Sequence, residues 1–399
     1  MNRRRLYQQH LDYVALSSST LRRIALASTL LGVLFTFSLN GAAQTEHTWQ
    51  IEVVNNGAGA EVGGFAALAI EPSGNLHVAY YNFTHRTLLY SFRAKTDKQW
   101  STTKVDGKGA GTYVSLAVDT AGQPHLAYNS MYEDGLHYAT WDGHKWKRQI
   151  IDPEHVNYYT SIQLDKDGHP RISYYLYHAP DRSYLLHLKF ASFDGKGWTI
   201  ETVDKRPETG KFNSVALDTS GYPHIAYSHV ALGDLLYAAW DGSRWNFADV
   251  DARRAHGDYV GIGNSITLDR SGSPHIAYLD STKNLVKYAW IEDGRWKSEI
   301  VDTLMGRGEV DHVSLQLDRQ NQPHLAYYDG GSGVLKYAVR DDKGWRTEVV
   351  DNDGNVGKYP SLCLDVDDQP YIAYYALDDG SLKIAHLQNT TASATTEKK

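Results

Sequence analysis

Most of the chain alternates between short runs rich in apolar and aromatic residues and short turns rich in Gly, Asp and Pro. Runs of this length are too short for helices and predict β-strands. Residues 115–119 and 125–128 flank one such turn, and residues 136–141 and 146–151 flank Asp142-Gly143. Because Gly and Asp favour chain reversal at these turns, the pattern predicts four antiparallel strands within residues 115–151.

The four-strand pattern recurs along the chain. Residues 115–128 return as 214–227, 265–278 and 314–327, with looser copies at 161–174 and 361–374 and a degenerate first copy at 67–80. Four antiparallel strands repeated at this period are typical of β-propeller blades and exclude stacked helical repeats. The predicted fold class is all-β, a seven-bladed β-propeller of four-stranded antiparallel blades.

A second repeated motif predicts how the ring closes. A Trp followed six residues later by Asp marks the fourth strand of six copies, from Trp100/Asp106 to Trp345/Asp351, and the seventh copy lacks it. The missing run stands at the other end of the chain, beginning at Trp49. We therefore expect residues 49–54 to complete blade seven, which leaves no open sheet edge.

The chain ends differ from the repeats. Arg22-Arg23 precede an apolar run over residues 24–39, and small residues end at Ala43, a pattern typical of a secretory signal peptide. The predicted domains are a signal peptide over 1–43, a propeller over 44–387 and a disordered tail over 388–399. We therefore expect an exported protein, periplasmic or extracellular, with no membrane span after cleavage; the alternative is that the apolar run stays uncleaved as an N-terminal anchor.

Charge and cysteine content narrow the function classes. Without residues 1–43 the chain keeps 35 basic and 46 acidic residues, a net charge of −11. An acidic surface argues against nucleic acid as a partner. The single Cys363 lies in an apolar run and is interpreted as a buried, inert thiol. Because one Cys cannot form an intramolecular disulfide, stability is expected to come from packing. The protein is also expected to be a monomer.

The turn before the fourth strand carries a family resemblance. Asp142-Gly143 before Trp146 and Asp241-Gly242 before Trp245 are similar to the BNR or Asp-box repeats of sialidase-like propellers. The strict Asp-box spacing is not met, and the sialidase set of catalytic residues does not map onto this chain. The resemblance implies a propeller, with glycan handling as a frequent theme, and transfers no catalytic site.

One face of the propeller is predicted to carry function. Turns after the first and third strands are short and uniform, whereas the connections after the second and fourth strands vary in length and chemistry. Two residues before the Ser of each first strand, where side chains should surround the mouth of the channel, stand Phe65, Tyr113, Tyr159, Phe212, Gly263, His312 and Tyr359. Aromatic rings around a concave opening suit sugar faces; the alternative is that they only wedge between blades.

The neighbouring loops complete the candidate ligand-binding set. It comprises Tyr113, His155, Tyr159, Phe212, Arg254, His256, Tyr259, Glu309, Asp311, His312 and Tyr359. In an enzyme, His155, His256 or His312 would act as general base, and Arg253 or Arg254 would hold a substrate carboxylate. Alternatively, two acids such as Glu154 and Glu309 would serve glycoside hydrolysis.

Metal and cofactor signals are few. The repeated Pro-His pairs lie one blade apart and are interpreted as hydrogen-bonding residues between blades rather than metal ligands. Alternating oxygen ligands at Asp351, Asp353 and Asn355 resemble a calcium loop, but Val356 stands where the hand-type loop needs Gly. No cofactor is expected, with calcium at these three residues as the alternative.

Three functions remain open at this stage. The favoured prediction is an exported binding module for glycan or cell-surface ligands, using the variable face. The alternatives are a secreted glycosidase or polysaccharide lyase on the same face, and a periplasmic protein–protein interaction scaffold.

Overall fold

The computed structural model describes residues 47–389, apart from 108, 134, 154–155, 178–185, 253–258 and 306–311. The chain divides into two compact units, residues 51–386 and the chain ends, 1–50 with 387–399. Of the chain ends, the described residues 47–50 begin the first strand and residues 387–389 end the last. None of the described residues forms a helix long and apolar enough to cross a membrane.

Four-stranded antiparallel sheets in chain order form seven blades. The chain begins with β1 (His47–Asn55) and one 3-10 turn (Gly57–Gly59). Blade one is β2 (Val62–Ile70), β3 (Leu76–Asn82), β4 (Thr87–Arg93) and β5 (Ser101–Asp106); blade two is β6 (Ala110–Val118), β7 (Pro124–Ser130), β8 (Leu136–Trp141) and β9 (Trp146–Asp152). Blade three is β10 (Val156–Leu164), β11 (Pro170–Tyr177), β12 (Leu186–Phe193) and β13 (Trp198–Asp204); blade four is β14 (Thr209–Leu217), β15 (Pro223–His229), β16 (Asp234–Trp240) and β17 (Trp245–Asp251). Blade five is β18 (Val260–Leu268), β19 (Pro274–Asp280), β20 (Leu285–Glu292) and β21 (Arg295–Thr303); blade six is β22 (Val313–Leu317), β23 (Pro323–Asp329), β24 (Val334–Asp341) and β25 (Gly344–Asp351); blade seven holds β26 (Val356–Leu364), β27 (Pro370–Ala376) and β28 (Ser381–Asn389).

The predicted closure is confirmed, because β1 pairs with β28 as the outer strand of blade seven. From this strand Glu52 accepts a bond from Arg93 at 2.5 Å and another from the Trp100 indole, both in blade one. Asn55 Nδ2 donates to the Tyr80 hydroxyl at 2.7 Å. The strand runs over His47–Asn55, slightly longer than the predicted 49–54, and β28 ends at Asn389, so the predicted boundary at 387 falls inside it.

The seams between blades share one buried hydrogen bond. In blades two to seven, a Tyr from the second strand donates to an Asp at the end of the fourth strand of the blade before, as Tyr174 does to Asp152 at 2.6 Å. The other pairs are Tyr128–Asp106, Tyr227–Asp204, Tyr278–Asp251, Tyr327–Asp302 and Tyr374–Asp351. These Tyr side chains are fully buried, so the Asp of the Trp–Asp motif is an acceptor that holds neighbouring blades together.

The repeated His residues bond within a blade, so the prediction of hydrogen bonds between blades is wrong. In blade one, His77 Nδ1 lies 2.6 Å from the Tyr90 hydroxyl and its Nε2 lies 2.7 Å from Glu71. His125, His224, His275 and His324 make the same contact with the Tyr thirteen residues on. A neutral imidazole satisfies both partners, and burial lowers the pKa of each of the five.

The inner strands β2, β6, β10, β14, β18, β22 and β26 are neighbours around the axis. Each Ser of the repeat accepts a backbone N–H from the inner strand of the next blade, as Ser115 does from Ile162 at 3.1 Å. Equivalent bonds involve Ser161, Ser214, Ser265, Ser314 and Ser361. Blade one has Ala67 at this position. Cys363, also on an inner strand, donates to the Leu68 carbonyl, and burial raises the pKa of its thiol to about 12.

Candidate functional site

Aromatic side chains meet around the axis, at the predicted positions. Ring centroids lie 4.6 Å apart for Tyr359 and Phe65, 4.6 Å for Phe65 and Tyr113, 4.4 Å for Tyr113 and Tyr159, and 4.6 Å for Tyr159 and Phe212. His312 packs edge-on against Tyr359 with centroids 5.7 Å apart. We call these six residues the aromatic ring; at the seventh position, in blade five, Gly263 contributes no side chain.

A backbone irregularity directs these side chains toward the axis. Five members of the aromatic ring have a positive φ close to +53°, a conformation that bulky residues rarely adopt: Phe65, Tyr113, Tyr159, Phe212 and Tyr359. In blade two, the pairing of β6 with β7 shifts between Thr112 and Ser115, which is a β-bulge. Gly263 has the same φ, +54°, and lies in the corresponding shift of β18. Strain of this kind, about 1–3 kcal/mol per residue, is concentrated at functional sites.

The aromatic ring borders a central cavity of about 210 Å³. All seven ring positions line it, together with the Ser, Asn and Thr residues that follow them on the inner strands. No Asp, Glu, Lys or Arg is among the described residues that line it. The described lining therefore offers aromatic surface and neutral hydrogen-bonding groups.

Two lysines stand directly before ring residues in the chain. Lys211 Nζ lies 4.9 Å from the Phe212 ring centroid, and Lys358 Nζ lies 5.5 Å from that of Tyr359. Neither lysine lines the cavity. Lys211 Nζ also lies 5.9 Å from the Tyr159 ring centroid, so the two ammonium groups polarise three of the rings by cation–π contact.

Polar side chains behind the ring tie the inner strands together. Thr160 donates to the Tyr113 carbonyl at 2.6 Å, and Asn213 Nδ2 donates to the Tyr159 carbonyl at 2.7 Å. Asn264 Nδ2 donates to the Phe212 carbonyl. In each case the donor lies in the following blade and holds the backbone of a ring residue in the blade before it. We did not predict these three residues from the sequence; their signal was a polar side chain at a position that holds Ala, Val or Pro in the other blades.

The structure brings together five of the eleven predicted site residues: Tyr113, Tyr159, Phe212, His312 and Tyr359. Tyr259 is 47% exposed and its backbone contacts the loop at Ser281 and Thr282, so it does not join the aromatic ring. The remaining five, His155, Arg254, His256, Glu309 and Asp311, lie outside the described residues.

Oxygens at the predicted calcium loop already have hydrogen-bond donors. Asp351 accepts from Tyr374 and from the backbone of Asp353, and Asn355 Oδ1 accepts from Tyr328 at 2.6 Å. Calcium there stays a prediction. A second group, Asp165, Asp167 and His169, brings three ligand atoms within 4.8 Å of one another, but Asp165 accepts from Arg171 at 2.7 Å and from two backbone N–H groups.

A larger and more open groove, about 1030 Å³, follows the outer seam between blades one and two. It is lined by Trp141, Trp146 and charged residues that include Arg148 and Asp106. Arg148 pairs with Asp106, and the Trp146 indole donates to Thr103 at 3.3 Å. These partners belong to the seam between the blades, whereas the aromatic ring gathers equivalent side chains from six blades; we therefore take the central cavity as the candidate site.

Comparisons with known proteins agree on the fold. No protein-family model matches the chain, and no curated protein matches it. Among solved structures, a protein of unknown function from Dyadobacter fermentans matches with a TM-score of 0.52 and 11% identity, covering 85% of this chain and 98% of that one. The SapL1 lectin in complex with alpha-methyl fucoside matches with a TM-score of 0.50 and 13% identity, covering 72% and 97%.

Sialidases are also among the structural matches. NanB sialidase from Streptococcus pneumoniae matches with a TM-score of 0.46 and 11% identity, covering 82% of this chain and 69% of that one, and carries no argument here. At these identities the likenesses show a shared propeller fold. The chain is therefore a seven-bladed β-propeller similar in fold to a lectin and to a protein of unknown function.

Proposed function

We propose that this protein is an exported propeller that binds neutral carbohydrate at its central cavity. The observation that carries the proposal is the aromatic ring itself. Inner strands of six blades place an aromatic or imidazole side chain at the same cavity, and five of them do so from a strained backbone conformation. Packing alone does not require strain at each of five equivalent positions, whereas presentation of rings to a ligand explains it.

The chemistry of the cavity lining supports a neutral ligand. A sugar offers apolar C–H faces to aromatic rings and hydroxyls to amides and alcohols. The described lining combines these groups and contains no Asp, Glu, Lys or Arg. An anionic sugar would leave its charge without a counter-ion in this cavity.

The same lining favours binding over hydrolysis. Glycosidases use a pair of carboxylates flanking the scissile bond, and no carboxylate lines the cavity in the part of the chain that the structure describes. An enzyme would depend on His155, Arg254, His256, Glu309 and Asp311, which are outside that part. Export is supported by the basic pair and apolar run ahead of Ala43, and the lectin among the fold neighbours supports the ligand class.

The test is a binding survey on residues 44–399. Isothermal titration calorimetry would use methyl glycosides of neutral sugars (fucose, galactose, glucose and mannose) beside methyl glucuronide. We expect saturable binding of at least one neutral glycoside, weaker binding of the glucuronide, and no release of reducing ends or unsaturated products from polysaccharides. Absence of binding to every neutral glycoside, or product release, would contradict the proposal.

A further inference from the structure

The outer groove, which follows the seam between blades one and two, lies where this seam departs from the repeat. Four blades carry a Glu at the third position after the Trp of the fourth strand: Glu52, Glu201, Glu299 and Glu348. In the seam between blades five and six, Glu299 accepts the Trp345 indole N–H at 2.8 Å. Blade one has Thr103 instead, which lines the groove and accepts from Trp146 at 3.3 Å. The shorter, neutral side chain leaves out a carboxylate that other seams contain.

Two lysines line the outer groove without an ion-pair partner among the described residues, Lys104 on β5 and Lys145 at the turn before β9. In the other six blades the position of Lys104 holds Val, Ile, Thr or Asp. The other charged residues of the described lining are Arg148, which pairs with Asp106, and Glu133. Three cationic residues thus stand against two acidic ones, a local excess of positive charge on a chain that is acidic as a whole.

The two lysines lie toward opposite ends of the outer groove. The Lys104 ammonium reaches the residue that follows β5, where its Nζ lies 3.2 Å from the position that a Cβ on Gly107 would occupy. Lys145 directly precedes β9. Because β5 and β9 are equivalent fourth strands that run in the same direction, the end of one and the beginning of the other are separated along the groove.

Trp141 and Trp146 supply an aromatic surface to the outer groove. Their ring centroids are 5.5 Å apart at an interplanar angle of 64°, and both side chains remain partly exposed. Blade four repeats this contact with Trp240 and Trp245, whose centroids are 5.7 Å apart at 61°. There the Glu201 carboxylate accepts from the Trp245 indole at 3.2 Å, so the second pair has an acid beside it. The aromatic surface and the uncompensated cations therefore coincide in the outer groove.

We infer that the outer groove binds a segment of acidic polysaccharide, with uronate carboxylates on Lys104 and Lys145 and a sugar face against Trp141. Carboxylates accept charge-assisted hydrogen bonds from ammonium groups, and the apolar C–H face of a sugar packs on an indole. At about 1030 Å³ the groove has about five times the volume of the central cavity, which suits several linked sugar residues. This site is separate from the central cavity and does not rest on the proposed function.

The experiment measures binding of an oligogalacturonate of defined length to residues 44–399 by isothermal titration calorimetry. Wild type should bind it more tightly than methyl glucuronide, because one carboxylate reaches only one of the two lysines and a chain reaches both. Added sodium chloride should weaken the binding. Trp141→Ala should weaken it at least about tenfold. Trp240→Ala, which opens the equivalent pair in blade four, is the matched control and should stay within about twofold of wild type.

A second pair of variants tests the charges. Lys104→Gln/Lys145→Gln should weaken binding of the oligogalacturonate about tenfold. Lys147→Gln/Lys166→Gln removes the same charge from two lysines that do not line the groove and are 64% and 78% exposed. Affinity should then stay within about twofold of wild type. Equal weakening by the two double variants would show that only net charge matters and would overturn the inference.

Three further results would also overturn it: no binding of the oligogalacturonate by wild type, equal affinity for a poly-glutamate of the same charge, or unchanged affinity in Trp141→Ala. Should Trp141→Ala not fold, the two lysine variants decide. A neutral glycoside that saturates the central cavity should leave the affinity for oligogalacturonate unchanged, and displacement would contradict the separate site. If wild type binds the oligogalacturonate and no neutral glycoside, the proposed function fails and this inference stands.

Discussion

The seams between blades and the aromatic ring at the axis are built from the same repeat, yet they vary in opposite ways. Six seams use one Tyr–Asp bond with both partners unchanged, and the seventh replaces Asp by Asn55. The ring positions instead hold Phe, Tyr, Gly or His, all around one cavity. Repeated packing demands explain the uniform seams, since each blade meets its neighbour in the same geometry. The residues of the aromatic ring all face one shared cavity, and do not form repeated contacts of identical geometry, so they need not be alike.

The closing seam also shows that the buried Tyr contact of a seam can form without charged partners. Between blades two and three, Asp152 accepts from Tyr174 and from Lys189, whose Nζ lies 2.7 Å away. At the closing seam Asn55 takes the place of Asp, and Leu89 stands opposite Tyr80 where Lys189 stands opposite Tyr174. The chain therefore contains a charged and a neutral solution to the same contact.

The largest effect is expected for Asp152→Asn, which leaves the Lys189 ammonium in the seam without a counter-ion. Both side chains are mostly buried, so we expect a loss of about 3 kcal/mol in the free energy of unfolding, measured by urea denaturation. A loss below about 0.5 kcal/mol would show that the pair behaves as an exposed salt bridge.

The double variant Asp152→Asn/Lys189→Leu is its control, because it copies the closing seam. It should recover most of the lost stability, since no charge is left buried. A double variant as unstable as the single one would mean that the neutral solution works only at the closing seam.

An intermediate effect is expected from acidification. The five repeated His residues have pKa values lowered by burial, so their neutral state stabilises the fold fully above the unfolded pKa of about 6.5. This stability is lost as the pH falls below that value, because the unfolded chain binds the protons more readily. The melting temperature should therefore be lower at pH 5 than at pH 7.

Blade three offers a variant to check the cause of the pH effect. Its Arg171 bonds to Asp165, and Phe190 stands where the five blades with the repeated His have the partner Tyr. His224→Arg/Tyr237→Phe copies this arrangement and should reduce the drop in melting temperature between pH 7 and pH 5. An unchanged drop would assign the pH effect to other groups.

The smallest effect is expected for Ala67→Ser. It would give blade one the hydroxyl that accepts a backbone N–H of the next blade, here that of Leu116, as the other six blades do. We expect a gain of about 0.5–1 kcal/mol in the free energy of unfolding. Ser115→Ala is the mirror control and should lose a similar amount; a neutral result for both would mean that these bonds add nothing over water.

The sequence predicted the fold and the positions of the aromatic ring around the axis, for physical reasons. Strand runs and the Trp49 segment are local signals, and closure follows from counting them. The aromatic ring was predictable because a residue's place in a repeat sets its distance from the axis. The His–Tyr pairs were misassigned because both partners lie in one blade across neighbouring strands, a register that the sequence does not display. Thr160, Asn213 and Asn264 were missed because their bonds to the carbonyls of ring residues in the preceding blade are visible only when neighbouring blades are in place.

The most direct test of the central claim is a crystal structure of residues 44–399 with a bound neutral methyl glycoside. Sugar density in the central cavity, in contact with side chains of the aromatic ring, is the result that the account predicts. Sugar bound instead in the outer groove against Trp141 and Trp146, with the central cavity holding only water, would contradict it.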